Sequence, residues 1–185
     1  YDDAGGRSAT RLWYCLAVYG HDRFALLDGG WKRWEAERRP VATEAPTVKP
    51  GGIRLARRPN PLSCPTSQVL SRRPNVVALD ARSEDEYTGK RTASNGKGGH
   101  LPGAVRVEWT ENLEPETGLF RSADDLRALY ASRGVTPDKE IVTYCQSGGR
   151  ASLSLFALRL LGYPKVRLYY GSFADYTGRD APLDR

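Results

Sequence analysis

An internal repeat constrains the fold of this chain more than any other feature of its sequence. The stretch Tyr1–Arg7 matches Tyr144–Arg150 at an offset of 143 positions, with Tyr, two Gly and Arg shared by both. After a single-residue gap the offset becomes 142, and Gly20, Leu26, Gly29, Trp31 and Trp34 stand opposite Gly162, Leu168, Gly171, Phe173 and Tyr176. Repetition at a fixed spacing indicates a duplicated structural unit. The chain is therefore predicted to hold the tail of one domain and a complete copy of the same domain.

The repeat divides the chain into three segments. Residues 1–41 are predicted to be the C-terminal part of a first domain, residues 42–61 a linker, and residues 62–185 the second, complete domain. The linker is rich in Pro, Thr, Gly and Lys and has no sustained apolar period, which is typical of a connecting segment. Within it, Ile53–Arg57 is expected to add a short strand to the second domain.

The second copy alternates short apolar runs with amphipathic segments. Strands are predicted at Val76–Leu79, Ala104–Val107, Glu140–Tyr144 and Val166–Tyr169, and helices at Ser83–Tyr87, Ser122–Arg133 and Gly149–Leu161. This alternation favours an α/β fold with an open parallel sheet flanked by helices. Ligands of such sheets bind beyond the carboxyl ends of the strands. Cys145 lies at one of those ends.

Charge and cysteine content narrow the class of function. The formal net charge of +6 favours an anionic partner, but no nucleic-acid-binding motif accompanies the basic residues, so nucleic acid is not an expected partner. No apolar run approaches the roughly 18 residues of a membrane span, so no membrane partner is expected either. Two histidines without a C-x-x-C pattern offer no zinc site. Three cysteines without paired spacing favour a reducing compartment, and we expect a cytoplasmic location.

The residues around Cys145 are predicted to form an anion-binding loop between a strand and a helix. The interior of this loop, before Arg150, consists of Gln146, Ser147, Gly148 and Gly149. Backbone N–H groups of such a loop, with the positive end of the helix dipole, would stabilise a thiolate. Arg150 would add a planar donor fork suited to an oxyanion. The alternative is that Cys145 is a small buried residue that ends a strand.

Three further motifs lie outside the Cys145 loop. Gly99–Ala104 reads Gly-His-Leu-Pro-Gly-Ala, Gly162–Val166 is followed by Tyr170–Phe173, and Leu79–Arg82 is followed by Glu86 and Tyr87. With the Cys145 loop they resemble the rhodanese family, in its two-domain thiosulfate or 3-mercaptopyruvate sulfurtransferase form, over essentially the whole chain. Together these motifs are specific, whereas each alone is weak.

The resemblance implies a double-displacement sulfur transfer without a metal or organic cofactor. The Cys145 thiolate would take a sulfane sulfur from a small anionic donor and form a persulfide, and a thiol or cyanide acceptor would then remove that sulfur. Covalent catalysis of this kind divides one difficult transfer into two steps. The loop interior has no lysine or arginine, which leaves 3-mercaptopyruvate open as the donor. Because Arg150 can supply the missing charge, we expect thiosulfate.

Substrate contacts are predicted for Arg82, Arg150 and the loop interior. The family's arginine that matches Arg82 faces the substrate pocket, so Arg82 is assigned to the sulfonate or carboxylate end of the donor, with a salt bridge to a neighbour such as Glu86 as the alternative. The loop residues would shape the pocket, mainly through their N–H groups. A structural role is predicted for His100, which would support the turn before Pro102, for Asp80, which would order adjacent loops, and for Cys15, Cys64, Trp31, Trp34, Phe173 and Tyr176.

The first copy carries Asp2 where the second carries Cys145. A carboxylate cannot carry sulfur, so the first domain is predicted to be inactive, with Asp2 in a structural role. The first copy also lacks the strands that should precede Tyr1. We therefore expect a separate N-terminal fragment that completes the first domain non-covalently.

Two other functions share parts of this pattern. Rhodanese-fold cysteine phosphatases use a C-x5-R loop, whereas four residues separate Cys145 from Arg150 and residue 151 is Ala. The smaller ring of N–H groups should suit a sulfur atom better than a phosphate group. A non-catalytic, regulatory rhodanese-like module is the second alternative. The presence of Cys145, Arg150 and Arg82 together argues against it.

Overall fold

A four-stranded parallel sheet organises this computed structural model, which describes residues 1–21, 23–52, 61–71 and 73–185. In chain order its strands are β1 (Val76–Asp80), β2 (Val105–Arg106), β3 (Glu140–Tyr144) and β4 (Val166–Leu168), and their order across the sheet is β2-β1-β3-β4. All pairs are parallel, and Asp80 at the end of β1 is in register with Tyr144 at the end of β3. The chain segments that follow these two strands therefore leave the sheet side by side.

Helices flank the sheet and connect its strands. They are α1 (Arg7–Val18), α2 (Gly30–Ala36), α3 (Thr66–Leu70), α4 (Glu84–Tyr87), a 3₁₀ helix (Trp109–Asn112), α5 (Ala123–Ser132), α6 (Gly149–Leu160) and α7 (Ser172–Thr177). Local sequence explains where two of them begin. Ser83 and Glu86 form a reciprocal capping box at α4, and the Ser122 hydroxyl accepts the Asp125 N–H at 3.1 Å at the start of α5.

Two apolar clusters pack against the sheet. Successive side chains of a strand point to opposite faces, so Ile141 of β3 joins one cluster and Val142 the other. The first cluster includes Leu155 and Leu158 of α6 together with Trp13 of α1. Trp13 packs edge-on against Phe156 with ring centroids 5.0 Å apart. Helix α1, from the beginning of the chain, is thereby part of the core around the sheet.

The predicted α/β class with an open parallel sheet is confirmed, and the differences lie at the ends of elements. Strand β2 is shorter than the predicted Ala104–Val107, and β4 ends at Leu168 rather than Tyr169. Helices α2, α3 and α7 and the 3₁₀ helix were not predicted, because each has seven residues or fewer and too little periodicity to detect.

The linker is only partly described. Residues 42–52 contain no helix or strand, whereas the strand predicted at Ile53–Arg57 lies outside the described residues. Among the described residues, no helix combines the length and the apolar character needed to cross a lipid bilayer.

Candidate active site

Cys145 is the first residue after β3 and is 1% exposed. Its backbone is fixed on both sides by the segment that begins α7. The Cys145 N–H donates to the Ser172 hydroxyl at 3.2 Å, and the Cys145 carbonyl accepts the Phe173 N–H at 2.9 Å. Ser172 in turn donates to the Tyr169 carbonyl at 2.9 Å. The position of the thiol is therefore set by a hydrogen-bonded shell and not by the loop alone.

The loop after Cys145 turns a backbone N–H towards the sulfur. The Gly148 N–H donates to Cys145 Sγ over 3.1 Å. Gly148 has a φ of 87°, a conformation that favours glycine. A Cβ atom placed there would also come within 3.1 Å of the Tyr170 carbonyl oxygen, which is a second reason for glycine at this position. Helix α6 begins at the next residue, and its positive dipole end faces the thiol. The sulfur therefore lies where a backbone N–H group and the positive end of the helix dipole meet.

The Asp2 loop also directs backbone N–H groups at the side chain that precedes a helix. Asp2 Oδ1 accepts N–H groups of Ala4 at 3.0 Å and Gly6 at 2.8 Å, and Oδ2 accepts those of Ser8 and Ala9, both at 2.7 Å. Burial opposes ionisation, but these four backbone hydrogen bonds lower the pKa of the carboxyl group below its ordinary value. A loop of this design therefore binds a negative charge before helix α1, as the Cys145 loop is arranged to do before α6.

The two loops differ in length by one residue. Helix α1 has Gly6 as its N-cap and α6 has Gly148, both with positive φ, and the side chains of Thr10 and Ser152 donate to the carbonyls of these glycines at 2.8 Å. Gly6 and Gly148 are 142 positions apart, as are Thr10 and Ser152, whereas Asp2 and Cys145 are 143 apart. The gap in the repeat thus falls inside the loop. The residue that corresponds to Arg150 is Ser8, and not Arg7 as the sequence match indicates.

Arg150 does not present a free guanidinium. It forms a two-pronged ion pair with Glu86, from Nη1 to Oε2 at 2.6 Å and from Nη2 to Oε1 at 2.8 Å. Burial alone would raise the pKa of Glu86, but the hydrogen bonds and charge of Arg150, with bonds from Ser83, lower it to about 2. Arg91 adds a second cation at 3.0 Å from Glu86 Oε2. Both terminal nitrogens of Arg150 are therefore bound to Glu86, a carboxylate that Arg150 shares with Arg91.

Arg82 is likewise paired, but with Asp80 rather than with Glu86, the expected alternative partner. Its Nε lies 3.0 Å from both Asp80 oxygens and its Nη2 donates to Asp80 Oδ2 at 2.6 Å and to the Gly99 carbonyl at 2.8 Å. The guanidinium stacks 3.8 Å from the centroid of the Phe173 ring, and the residue is 1% exposed. Burial works against its charged form, yet Asp80 raises the pKa of Arg82. This buried pair ties the end of β1 to the segment before His100.

Arg82 and Gln146 nevertheless border a common cavity beside the loop. Its lining also includes Glu86, Arg91 and Thr92 to Ser94. The structure thus brings Arg82 and a residue of the Cys145 loop, both predicted to contact the substrate, to one surface.

Comparison with known proteins decides the family. The sequence profile of the Rhodanese-like domain matches residues 67–179. The chain belongs to the rhodanese-like family. A thiosulfate sulfurtransferase of Azotobacter vinelandii is 38% identical over the whole chain, which spans 68% of that relative. A thiosulfate sulfurtransferase of Pseudomonas aeruginosa is 34% identical, again with the whole chain aligned to 68% of the relative.

Other similar proteins carry different names. The sulfur carrier protein TtuD of Thermus thermophilus is 35% identical over 95% of the chain, which spans 66% of its length. Among solved structures, a variant of EanB in complex with ergothioneine superposes with a TM-score of 0.87 at 23% identity, covering 98% of this chain and 46% of the EanB chain. The predicted resemblance to the rhodanese family is confirmed, and the enzyme class expected from it is the one named for the first two relatives.

The structural roles expected of other residues agree with their surroundings. His100 stacks on Tyr87 with ring centroids 3.7 Å apart, and its Nδ1 lies 2.9 Å from the Tyr87 carbonyl oxygen. Cys64 is buried and its N–H donates to the Leu168 carbonyl at 2.9 Å. Phe173 and Tyr176 are buried in the second apolar cluster, whereas Trp31 stacks on Tyr1. In the part of the chain that the structure describes, His, Cys, Asp and Glu side chains form no group of three that could hold a metal ion.

Sequence reasoning missed two residues of this rhodanese-like site. Ser172, whose hydroxyl holds the Cys145 backbone, has a φ of 54°, a rare conformation for a residue other than glycine. It lies within the Tyr170–Phe173 segment of the C-terminal signature, but the motif gives no sign that this hydroxyl reaches the cysteine. The second is Arg11, whose Nη1 donates to the Ser147 carbonyl at 2.6 Å. No sequence signal links Arg11 to a loop 136 positions away.

Proposed function

We propose that this chain is a sulfurtransferase that moves a sulfane sulfur from thiosulfate to a thiophilic acceptor through a persulfide on Cys145. The observation that carries the proposal is the Gly148 N–H directed at Cys145 Sγ at the start of helix α6. The Asp2 loop supports it, because a loop of closely similar design already holds a carboxylate through four N–H groups. The names of the two sulfurtransferase relatives point the same way.

The reaction proceeds in two displacements. The Cys145 thiolate attacks the outer sulfur of thiosulfate, a new S–S bond forms on Cys145, and the S–S bond of thiosulfate breaks with its electron pair leaving on sulfite. Cyanide or a thiolate acceptor then attacks the terminal persulfide sulfur, and the Cys145 thiolate departs as the leaving group. Each step moves negative charge from one sulfur atom to another. The loop N–H groups and the helix dipole would stabilise that charge. No cofactor or metal takes part in this scheme.

Thiosulfate is the donor that we favour over 3-mercaptopyruvate. The cavity bordered by Arg82, Arg91 and Gln146 lies beside the loop and would receive the sulfonate end of the donor. Arg82 and Arg150 would act mainly as hydrogen-bond donors, through N–H groups that their carboxylate partners leave unoccupied, since each is already bound to a carboxylate. The backbone N–H groups of Gln146, Ser147, Gly148 and Gly149 would complete the contacts.

The wider organisation follows from the repeat. We propose that residues 1–41 are the tail of a first, inactive domain joined by the linker 42–61 to the catalytic domain 62–185. The four N–H groups on Asp2 fit an inactive loop, because its anion is already part of the chain. The three free cysteines fit a reducing compartment, and we propose a cytoplasmic location.

Thiocyanate formation from thiosulfate and cyanide tests the proposed reaction. The intact chain should be active and Cys145→Ser inactive, with Cys15→Ser as the matched control that retains activity. Catalytic efficiency measured with thiosulfate and with 3-mercaptopyruvate identifies the donor. Steady hydrolysis of an aryl phosphate that is lost in Cys145→Ser would support a phosphatase instead, and no turnover of any of these substrates would support a regulatory module.

A further inference from the structure

We propose that Arg11, which lies outside the matched domain, is a positioning residue of the Cys145 site and supplies an unbalanced positive charge at its mouth. Arg11 lies on α1, before the linker, and residues 67–179 are those that match the family profile. The inference deepens the proposed function, because it names a residue that would set the affinity of the same site for an anionic donor. It assigns α1 a part in the chemistry beyond packing.

The Arg11 side chain crosses from α1 to the active-site loop. Its Nη1 donates to the Ser147 carbonyl oxygen at 2.6 Å and its Nη2 donates to the Tyr170 hydroxyl at 2.6 Å. The guanidinium carbon lies 4.6 Å from the centroid of the Tyr170 ring, within the range of a cation–π contact. Arg11 is therefore anchored at two points, one in the Cys145 loop and one on Tyr170, which follows β4.

One peptide unit joins Arg11 to the reactive sulfur. The Ser147 carbonyl that accepts from Arg11 and the Gly148 N–H that donates to Cys145 Sγ belong to the same peptide. In a planar trans peptide the C=O and N–H bonds point in opposite directions. By holding the carbonyl on the outer side, Arg11 directs the N–H inward at the sulfur. A cation on the carbonyl oxygen also polarises the peptide and strengthens its N–H as a donor.

Charge balance separates Arg11 from the two arginines predicted by sequence. Arg82 is paired with Asp80, and Arg150 is paired with Glu86. Within the described parts of the chain, Arg11 forms no salt bridge with a carboxylate, and it is only partly exposed. A dianionic donor that approaches Cys145 would therefore meet Arg11 as a cation whose charge is not cancelled by a bound carboxylate.

The packing of α1 on α6 supports a specific role for this residue. The N-cap glycines Gly6 and Gly148 are equivalent, and Arg11 and Leu153 lie at the same distance along the chain after them. A Cβ atom on Gly6 would lie 3.5 Å from Leu153 Cδ1, and one on Gly148 would lie 3.4 Å from Arg11 Nη1. Each of the two helices thus places its residue at this position beside the loop that precedes the other helix. That residue is leucine beside the Asp2 loop and arginine beside the Cys145 loop.

Alkylation by two reagents of different charge tests this inference without relying on sulfur transfer. Iodoacetamide is neutral and iodoacetate is anionic, and the rate of each is measured at Cys145 by peptide mass analysis, apart from Cys15 and Cys64. The ratio of their rates therefore reports the local potential and is independent of how much thiolate is present. The variants are Arg11→Leu, Arg11→Gln and Arg11→Lys, with Lys165→Leu as the control, since Lys165 is an exposed cation just before β4, at the opposite end of the sheet.

The expected result is a fall of about fivefold in the iodoacetate to iodoacetamide rate ratio for Arg11→Leu and Arg11→Gln. Arg11→Lys should keep this ratio within about twofold of wild type. In thiocyanate formation, Arg11→Leu and Arg11→Gln should raise KM for thiosulfate about tenfold with a smaller change in kcat, and Arg11→Lys should restore most of the affinity. Gln can still donate to Ser147, so the positioning role predicts a larger fall in kcat for Arg11→Leu than for Arg11→Gln.

Unchanged rate ratios in folded Arg11→Leu and Arg11→Gln proteins would overturn the inference, as would an equal fall in Lys165→Leu. If Arg11→Leu does not fold, Arg11→Gln and Arg11→Lys still decide, because their difference is charge. If wild type shows no sulfur transfer while the rate ratio falls as expected, the proposed function fails and the role of Arg11 stands. If sulfur transfer occurs and the ratio is unchanged, the proposed function stands and the role of Arg11 fails.

Discussion

Glu86 binds both terminal nitrogens of Arg150, at 2.6 and 2.8 Å, and so balances the cation that ends the Cys145 loop. An arginine placed after a reactive cysteine is ordinarily expected to bind the anionic substrate. In this chain the pair holds the first turn of α6 to α4, and the two side chains are largely buried. Arg150 thus stabilises the loop, and its charge is not free to bind the donor.

Replacing Glu86 by Gln should release that charge. We expect KM for thiosulfate to fall by about threefold to tenfold, because the freed Arg150 can approach the donor. The free energy of unfolding should fall by about 1 to 3 kcal/mol, since one partner of a partly buried ion pair is lost. Steady-state kinetics and urea denaturation measure the two effects. A rise in KM together with lost stability would show that Glu86 serves only to hold Arg150 in place.

Acid should weaken the same ion pair within a defined pH window. The pKa of Glu86 is about 2 in the folded chain, below the ordinary value of about 4.3 for an unfolded glutamate. A carboxyl group whose folded pKa is depressed contributes stability above its unfolded pKa and loses it as pH falls through its folded pKa. Urea denaturation between about pH 5 and pH 2 should therefore show a smaller loss of stability in Glu86→Gln than in wild type. Parallel curves for the two proteins would contradict this.

The buried pair of Asp80 and Arg82 should matter more for stability than for binding. Asp80→Asn leaves the Arg82 charge buried without its counterion, so the free energy of unfolding should fall by about 3 to 5 kcal/mol. Asp124→Asn removes an exposed ion pair with Arg127 and should change stability by less than about 1 kcal/mol. Chemical denaturation of both variants checks the contrast. Equal effects would mean that Arg82 reaches solvent or another partner when Asp80 is removed.

The Asp2 loop should act on stability alone. Asp2→Ala removes the acceptor of four backbone N–H groups at the start of α1, and we expect the free energy of unfolding to fall by about 1 to 2 kcal/mol. Thiocyanate formation should stay within about twofold of wild type at a temperature where the variant is folded. A much larger loss of activity would show that the Asp2 loop takes part in catalysis or in holding Arg11.

Sequence patterns were sufficient to predict the elements that depend on interactions between neighbouring residues. The strand that precedes Asp80 and the helices predicted to begin at Ser83 and Ser122 each depend on neighbouring residues, and the structure confirms them. The Cys145 loop was likewise predictable, because a strand, two glycines and a helix start lie within a few residues. The apolar periodicity and the turn residues were therefore sufficient to predict the fold class and the position of the thiol.

The pairing of charges was not predictable, because it depends on how distant segments pack. Glu86 and Arg150 are 64 positions apart and meet only after β1 and β3 pair in the sheet. Arg11 reaches Ser147 across the contact between α1 and α6. The partner of Arg82 was within reach of sequence reasoning, since residues i and i+2 of an extended segment point to the same side and Asp80 precedes Arg82 by two. Glu86, four residues after Arg82, was therefore the weaker prediction for its partner.

Intact-mass measurement after incubation with thiosulfate tests the central claim, that Cys145 carries the transferred sulfur. The wild-type chain should gain the mass of one sulfur atom and lose it when cyanide is added, and Cys15→Ser should behave in the same way. Cys145→Ala should show no gain. A sulfur gain that persists in Cys145→Ala, or its absence from folded wild-type protein incubated with thiosulfate, would contradict the account.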